Sequence, residues 1–252
     1  MSRAAALASL VVMALVVAEA WPSYNVTQLN VTVYLNSSTT AHVTELLTVM
    51  VSNESYVQYN TSRLARNLTL SEWQVLIGPL LTQHLLNPRT GISSFSFIPS
   101  PITPHYGYGI ADLLLSYNVQ NVTFINQTGP RTFLYRFNPA VFNFNPSASG
   151  QILMPNTNLT IVLPRGAVID KVSPIPDSPA SAFGHGYANV TSLSWFRQEP
   201  LSKFALSFTI IESPQQEVAD FFGSIYTALG PLTYVIIAVV VILFILYTYF
   251  RS

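Results

Sequence analysis

The chain has 252 residues, 50% of them hydrophobic and 9% charged, with a formal net charge of zero and no cysteine. The neutral balance and the lack of basic runs argue against a nucleic-acid partner. The absence of cysteine excludes disulfide scaffolds, thiol nucleophiles and cysteine-ligated metals, although about 200 residues suffice to bury a core unaided.

Residues 1–20, MSRAAALASLVVMALVVAEA, carry Arg3 as a short positive region, an apolar run from Ala5 to Val17 and the small-residue triplet Ala18-Glu19-Ala20. This is the pattern of a signal peptide, with Trp21 as the mature N-terminus. An uncleaved anchor is the alternative, and the apolar run is short for one.

Three Asn-x-Ser/Thr triplets follow within Asn25 to Ser38, NVTQLNVTVYLNSS. Across the chain ten of sixteen asparagines begin such a triplet: Asn25, Asn30, Asn36, Asn53, Asn60, Asn67, Asn121, Asn126, Asn158 and Asn189. Ser and Thr make up roughly a fifth of the residues, so random placement predicts about three. The excess marks the region between the two membrane-directed ends as one that meets glycosylation machinery. A strand over Leu29 to Asn36 turns Val31, Val33 and Leu35 to a core and Asn30, Thr32, Tyr34 and Asn36 outward. Turn chemistry also accounts for Asn36-Ser-Ser.

Runs rich in β-branched and aromatic residues predict strands at Gln28 to Leu35, Ala41 to Ser52, Leu113 to Phe124, Arg131 to Phe137, Asn158 to Leu163 and Lys203 to Ile211. Weaker signals lie at Gly91 to Ile98, Ala167 to Val172 and Ser192 to Arg197. Pro, Gly, Asn and Ser punctuate these runs, which predicts a mainly β chain: an antiparallel, β-sandwich-like domain over 21–212, with a split between two sheets near residue 150. One helix interrupts the pattern at Leu70-Ser-Glu-Trp-Gln-Val75. Ser71 is read as its N-cap, Gln74 as the capping-box partner, and Leu70 and Val75 as the hydrophobic staple. It runs towards Asn87 with a disturbance at Gly78-Pro79.

The run Phe133-Leu-Tyr-Arg-Phe-Asn-Pro-Ala-Val-Phe-Asn-Phe-Asn-Pro146 is the most suggestive binding surface. Phe133, Tyr135 and Phe137 alternate onto one face, and Phe142 and Phe144 repeat the spacing. Exposed, these rings stack on sugars or anchor a partner; packed inward, they serve a half-buried strand, which is the reading with more weight.

Ser213-Pro-Gln-Gln216 opens a second helix over 213–230, whose Val218, Phe221, Phe222, Ile225, Tyr226 and Leu229 form one apolar stripe. This stripe lies on a membrane, docks under the domain or begins the anchor. Residues 231–250, PLTYVIIAVVVILFILYTYF, contain no charge. They make about 30 Å of helix with aromatic ends, the signature of a single C-terminal transmembrane helix. Only residues 251–252 remain for the cytoplasm.

Catalytic signals are sparse. His42, His84, His105 and His185 have no metal-ligand spacing, there is no Gly-x-Ser-x-Gly elbow or nucleotide-binding Gly-rich loop, and no acidic pair is marked as a glycosidase couple. No metal or cofactor is expected. The core V-x-L-N-x-S-x-x-A-x-V-T-E within Val31 to Val49 resembles the opening hairpin of archaeal membrane-anchored ectodomains. Leu163-Pro-Arg-Gly-Ala-Val-Ile169, Leu193-Ser-Trp195 and Phe204-Ala-Leu-Ser-Phe208 are similar to a closing strand set in such proteins. The resemblance covers under half the chain and implies an archaeal-type surface glycoprotein without a catalytic motif.

The expectation is a non-enzymatic, single-pass glycoprotein of the plasma membrane with its N-terminal domain outside the cell and a structural or adhesive role. Its partners are the lipid bilayer, N-linked glycans and other membrane or envelope proteins. The alternatives are an accessory subunit of a membrane complex, such as export or glycan-transfer machinery, and an anchored hydrolase.

Overall fold

The computed structural model describes residues 24–65, 68–147, 150–179, 190–198 and 200–212, together with 223, 226, 227 and 230. The expected leader, the 231–250 span, the tail and the capping box at 213–216 lie outside these residues. Among the described residues no helix is long and apolar enough to cross a membrane.

The fold is mainly β. Strands β1 (Tyr24–Leu35) and β2 (Ala41–Ser52) form a hairpin, followed by helices α1 (Tyr56–Leu64) and α2 (Leu70–Ile77). Next come β3 (Ile92–Pro99), β4 (Thr103–His105), β5 (Tyr108–Val119), β6 (Thr123–Gly129) and β7 (Thr132–Phe137). Then follow β8 (Asn145–Ser147), β9 (Gly150–Ile152), β10 (Thr157–Val162), β11 (Val168–Ser173), β12 (Ser192–Trp195) and β13 (Ala205–Ile211). A seven-stranded sheet runs β12-β10-β1-β2-β5-β3, with β4 also on β5, and a four-stranded sheet runs β11-β13-β7-β6. Each sheet takes strands from both halves of the chain, so the expected division near residue 150 does not hold.

Alternation explains the central strands. In β1, Leu29, Val31, Val33 and Leu35 are buried while Asn30, Thr32 and Tyr34 face outward, as the pattern predicts, and Asn36, expected in the same row, is exposed just past the end of the strand. Val43, Leu47, Val49 and Val51 of β2 and Ala111, Leu113, Leu115, Tyr117 and Val119 of β5 complete the same inner face. One pairing departs from the antiparallel expectation: β10 lies parallel to β1, from Leu29 opposite Thr157 to Tyr34 opposite Val162. β10 reaches β1 only after the chain has crossed the second sheet, and such a crossover, unlike a hairpin, permits parallel pairing.

An aromatic cluster joins the sheets. Phe204, just before β13, has its ring 5.2 Å from that of Trp195 on β12 and 5.3 Å from that of Phe137 on β7. The turn between β1 and β2 is gripped by the second sheet as well: Val122 N–H donates to Thr39 O at 2.8 Å, and Tyr135 OH donates to Ser37 O at 3.1 Å.

Three local expectations need correction. The N-cap of α2 is Thr69, not Ser71. Thr69 Oγ1 accepts from Glu72 N–H, and the Glu72 carboxyl accepts from Thr69 N–H at 2.6 Å. Glu72 is a better reciprocal partner than Gln74, because a carboxylate at a helix N-terminus also meets the dipole. The staple positions therefore become Leu68 and Trp73, both packed in the core, while Val75 stands 88% exposed. The Thr69 N–H and hydroxyl hold the Glu72 carboxyl below its usual pKa. This cap therefore contributes above the ordinary carboxylate pKa and fades as pH falls through the lowered one. The helix stops at Ile77, where Gly78 takes a φ of 115°. The run Leu113 to Phe124 is two strands, broken at Asn121, whose φ of 55° suits asparagine. Helix α1 was not legible: its sequence YVQYNTSRL buries only Tyr59.

Gly109 sits where helix and loop meet β5. A methyl group there would overlap the Ile102 side chain and lie 2.9 Å from Tyr56 Cζ. Gly109→Ala is expected to destabilise the fold by about 1–3 kcal/mol, measured by urea unfolding.

Candidate functional site

Eight of the ten triplet asparagines fall among the described residues, and none of the eight is buried. Asn25, Asn36, Asn53, Asn121 and Asn126 are exposed, and Asn30, Asn60 and Asn158 are half-buried. Asn67 and Asn189 lie outside the described residues. The one buried asparagine among those described, Asn87, precedes a proline and begins no triplet. Its amide donates to Gln120 O at 2.9 Å and its Oδ1 accepts from Arg89 N–H at 2.9 Å, so it works as a loop staple.

Local structure differs between the acceptors. Asn36 closes an Asx turn, its Oδ1 accepting from Ser38 N–H at 2.9 Å and from Ser38 Oγ at 2.7 Å. That arrangement uses the carbonyl oxygen and leaves Nδ2, the atom that carries a sugar, directed away from the turn. Asn30 and Asn158 are direct neighbours across the parallel pair, and Asn158 Nδ2 donates to Asn30 Oδ1 at 2.8 Å. Two amides this close leave room for one glycan rather than two.

The aromatic run is mostly buried. Tyr135, Phe137, Phe142 and Phe144 are between 3% and 6% exposed, and Phe133 packs half-buried against the core. Their faces are occupied by other rings: Tyr135 stacks on Phe208 at 5.0 Å, Phe142 meets Phe204 edge-on at 5.0 Å, and Phe144 lies 5.1 Å from His84. These residues form the joint between the sheets, not an open platform.

A cluster that no sequence motif marks lies in the inner face of the large sheet. Glu45, on β2, is 0% exposed at a position where alternation calls for an aliphatic residue. Its Oε1 accepts from His84 N–H at 2.7 Å and from the Tyr117 hydroxyl, and its Oε2 takes the His84 Nδ1–H bond at 2.8 Å. Leu85 N–H donates to the Tyr117 oxygen at 3.2 Å. Burial and the neighbouring carboxyl push the Tyr117 phenol well above its ordinary pKa, which keeps it a donor. The signal was available as one acid in the inward row of β2. Its partners were not, because His84 and Tyr117 are 39 and 72 residues away. Among the described residues no group of three His, Cys, Asp or Glu is placed to hold a metal ion. Of the other histidines, His42 bonds Asn118 on the open face, His105 stacks on Tyr108, and His185 is outside the described residues.

On the outer face of the four-stranded sheet lies an open depression of about 630 Å³, lined among others by Thr128, Leu134, Arg136, Asp170, Lys171 and Thr209.

No protein-family model matches the chain, and no curated protein matches it significantly. Among solved structures, the NMR structure of the folded domain of Mycobacterium tuberculosis LppM aligns with 75% of this chain and 91% of that one, at 6% identity and a TM-score of 0.23. A superposition this loose carries no functional argument.

The Glu45 cluster predicts an asymmetric response to mutation. Glu45→Ala, which leaves three buried donors unpaired, is expected to cost about 3–5 kcal/mol in urea unfolding. Tyr117→Phe is expected to cost about 1–3 kcal/mol.

Proposed function

We propose that this chain is a non-enzymatic, N-glycosylated surface protein, with a β-sandwich domain outside the cell and a single C-terminal membrane helix at 231–250. It is of the archaeal type that residues 31–49 resemble, and its role is structural or adhesive, through lateral contacts with other envelope proteins. The carrying observation is the placement of the acceptors: every described triplet asparagine reaches the surface, while the buried asparagine lies outside the triplet pattern. Asn118, Asn138, Asn143, Asn145 and Asn156, outside the pattern, are unburied too, so exposure leaves every described acceptor open to sugar while the excess of triplets over the random expectation singles them out.

Composition supports the same reading. A chain with 9% charged residues has far fewer ionic groups than the roughly 25% of ordinary soluble domains. Sugars supply hydration that the side chains do not. The buried Glu45–His84–Tyr117 cluster, at 0%, 2% and 0% exposure, is suited to holding a loop and not to meeting an external substrate.

Intact-mass analysis of the native protein before and after deglycosylation is expected to show removal of residues 1–20 and sugar on more than about three asparagines, the random expectation. Glycopeptide mapping is expected to find Asn30 and Asn158 never occupied on the same molecule. Protease treatment of sealed cells is expected to digest the domain. Protection of the domain, or a chain without sugar, overturns the reading.

A further inference from the structure

Strand β6 sets one acceptor apart from the other described ones. Phe124 pairs with Arg136 and Asn126 with Leu134, so both side chains stand on the outer face of the four-stranded sheet, about 7 Å apart along the strand. The Phe124 ring is 58% exposed. β6 is also an edge strand, bonded to β7 on one side only.

The same face continues across the sheet in two rows. Arg136 lies opposite Ser207, which lies opposite Lys171; Leu134 lies opposite Thr209, which lies opposite Val168. Val168 is 53% exposed and Ile211, further along β13, is 66% exposed. The depression of about 630 Å³ is lined by Arg136, Ser207, Lys171, Leu134 and Thr209 of these rows, by Asp170 and by Thr128, the third residue of the Asn126 triplet. Its volume is in the range of sites that hold a small molecule. The face is therefore mixed: Phe124, Leu134 and Val168 stand among Arg136, Lys171 and Ser207, while the Thr209 hydroxyl donates to Asp170 at 2.8 Å, and an acceptor asparagine lies beside it.

We propose that the inner sugars of an N-glycan on Asn126 lie against the Phe124 ring and over this depression, so that the glycan covers the outer face as part of the fold. This rests on the glycosylated reading above. The bond is the ordinary one: Asn126 Nδ2 joins the anomeric carbon of a phosphate-activated sugar donor, losing a proton as the phosphate leaves. The attached sugar then presents its C–H face to an aromatic ring two residues back, a contact that buries apolar surface on both partners. Arg136, with five N–H donors and no acceptor, is placed beside Phe124 to bond the hydroxyls that point away from the ring. Tyr34 precedes Asn36 by the same interval, but β1 ends at Leu35 and the Tyr34 ring is already 6.1 Å from that of His42.

The test uses the full chain from an N-glycosylating host, as wild type, Phe124→Ala, Asn126→Gln and the double variant. Glycopeptide mass spectrometry first scores occupancy of Asn126. With Asn126 occupied, Phe124→Ala is expected to lower Tm by about 2–4 °C more than it does in the Asn126→Gln background. The inner-sugar proton resonances, shifted upfield by the ring, are expected to return to ordinary positions in Phe124→Ala and stay shifted in Phe124→Tyr. Equal Tm losses in both backgrounds, or unshifted sugar protons in the occupied wild type, overturn the proposal. A bare Asn126 on a chain glycosylated elsewhere overturns it alone, whereas a chain bare at every triplet overturns the surface-glycoprotein reading with it.

Discussion

Burying the Glu45 carboxyl is the constraint on which the rest of the arrangement turns. A carboxyl removed from water costs several kcal/mol unless its oxygens are filled, and here the donors come from a loop and a neighbouring strand. His84 supplies both its backbone N–H and its ring, and Tyr117 its hydroxyl. The irregular segment after α2 is thereby held against β2 and β5. His84 then hands the constraint on: its carbonyl accepts from Asn143 N–H at 2.8 Å, and its ring lies against Phe144. Phe144 touches Phe142, Phe142 touches Phe204, and Phe204 touches Trp195. A single acid in the inner row of one sheet is thus connected, through a loop, to the aromatic joint between both sheets. Such a device fixes one arrangement of the loop where an aliphatic residue would permit several.

The exterior follows a different rule. With few ionic groups to spread over it, the outward face of β1 and the first residue beyond it are built from Asn30, Thr32, Tyr34 and Asn36, which are polar but uncharged. Neutral amides and hydroxyls bond water less strongly than ions do, and they are also the chemistry that accepts sugar. Low charge and abundant acceptors are two sides of one solution to solubility in the proposed setting. The inward face can then be almost wholly aliphatic and aromatic without leaving a sparse surface to compensate for it.

Much of the fold was legible because the strands alternate cleanly. Val31, Val33 and Leu35 were assigned inward and Asn30, Thr32, Tyr34 and Asn36 outward from period alone, and the main strands fall near their expected limits. Signals failed where local preference and tertiary contact diverge. Helix α1 has one buried anchor, Tyr59, whose hydroxyl donates to Ser100 O at 2.8 Å and whose ring meets Trp73 at 5.5 Å. No periodic stripe announces such a helix. Strand β6 is too polar and too exposed to read as a strand, and it exists because β7 supplies its hydrogen bonds. The acceptor asparagines were legible from the triplet rule, but the pairing of Asn30 with Asn158 depends on a parallel contact between strands 128 positions apart. The Glu45 partners were hidden for the same reason.

Sheet edges show why an acceptor on β6 has more consequence than one in a turn. An open edge offers unpaired N–H and C=O groups to any other chain, and each of the four edges of the two larger sheets meets that hazard differently. The β3–β4 edge carries Pro99, Pro101 and Pro104, which cannot extend a ladder. β12 is four residues long, and the loop at 177–178 bonds its Ser194 on the free side. β11 is bulged between Ile169 and Lys171 and places a lysine there. β6 has no proline, and its register shift comes only at its hairpin end, between Gln127 and Gly129. From Phe124 to Gln127 its edge is regular, exposed and partly apolar. The glycan proposed at Asn126 would block that edge sterically in a way that no side chain on β6 does, and the same group would shelter Phe124. Edge protection and coverage of the outer face would then be a single requirement, met at one position.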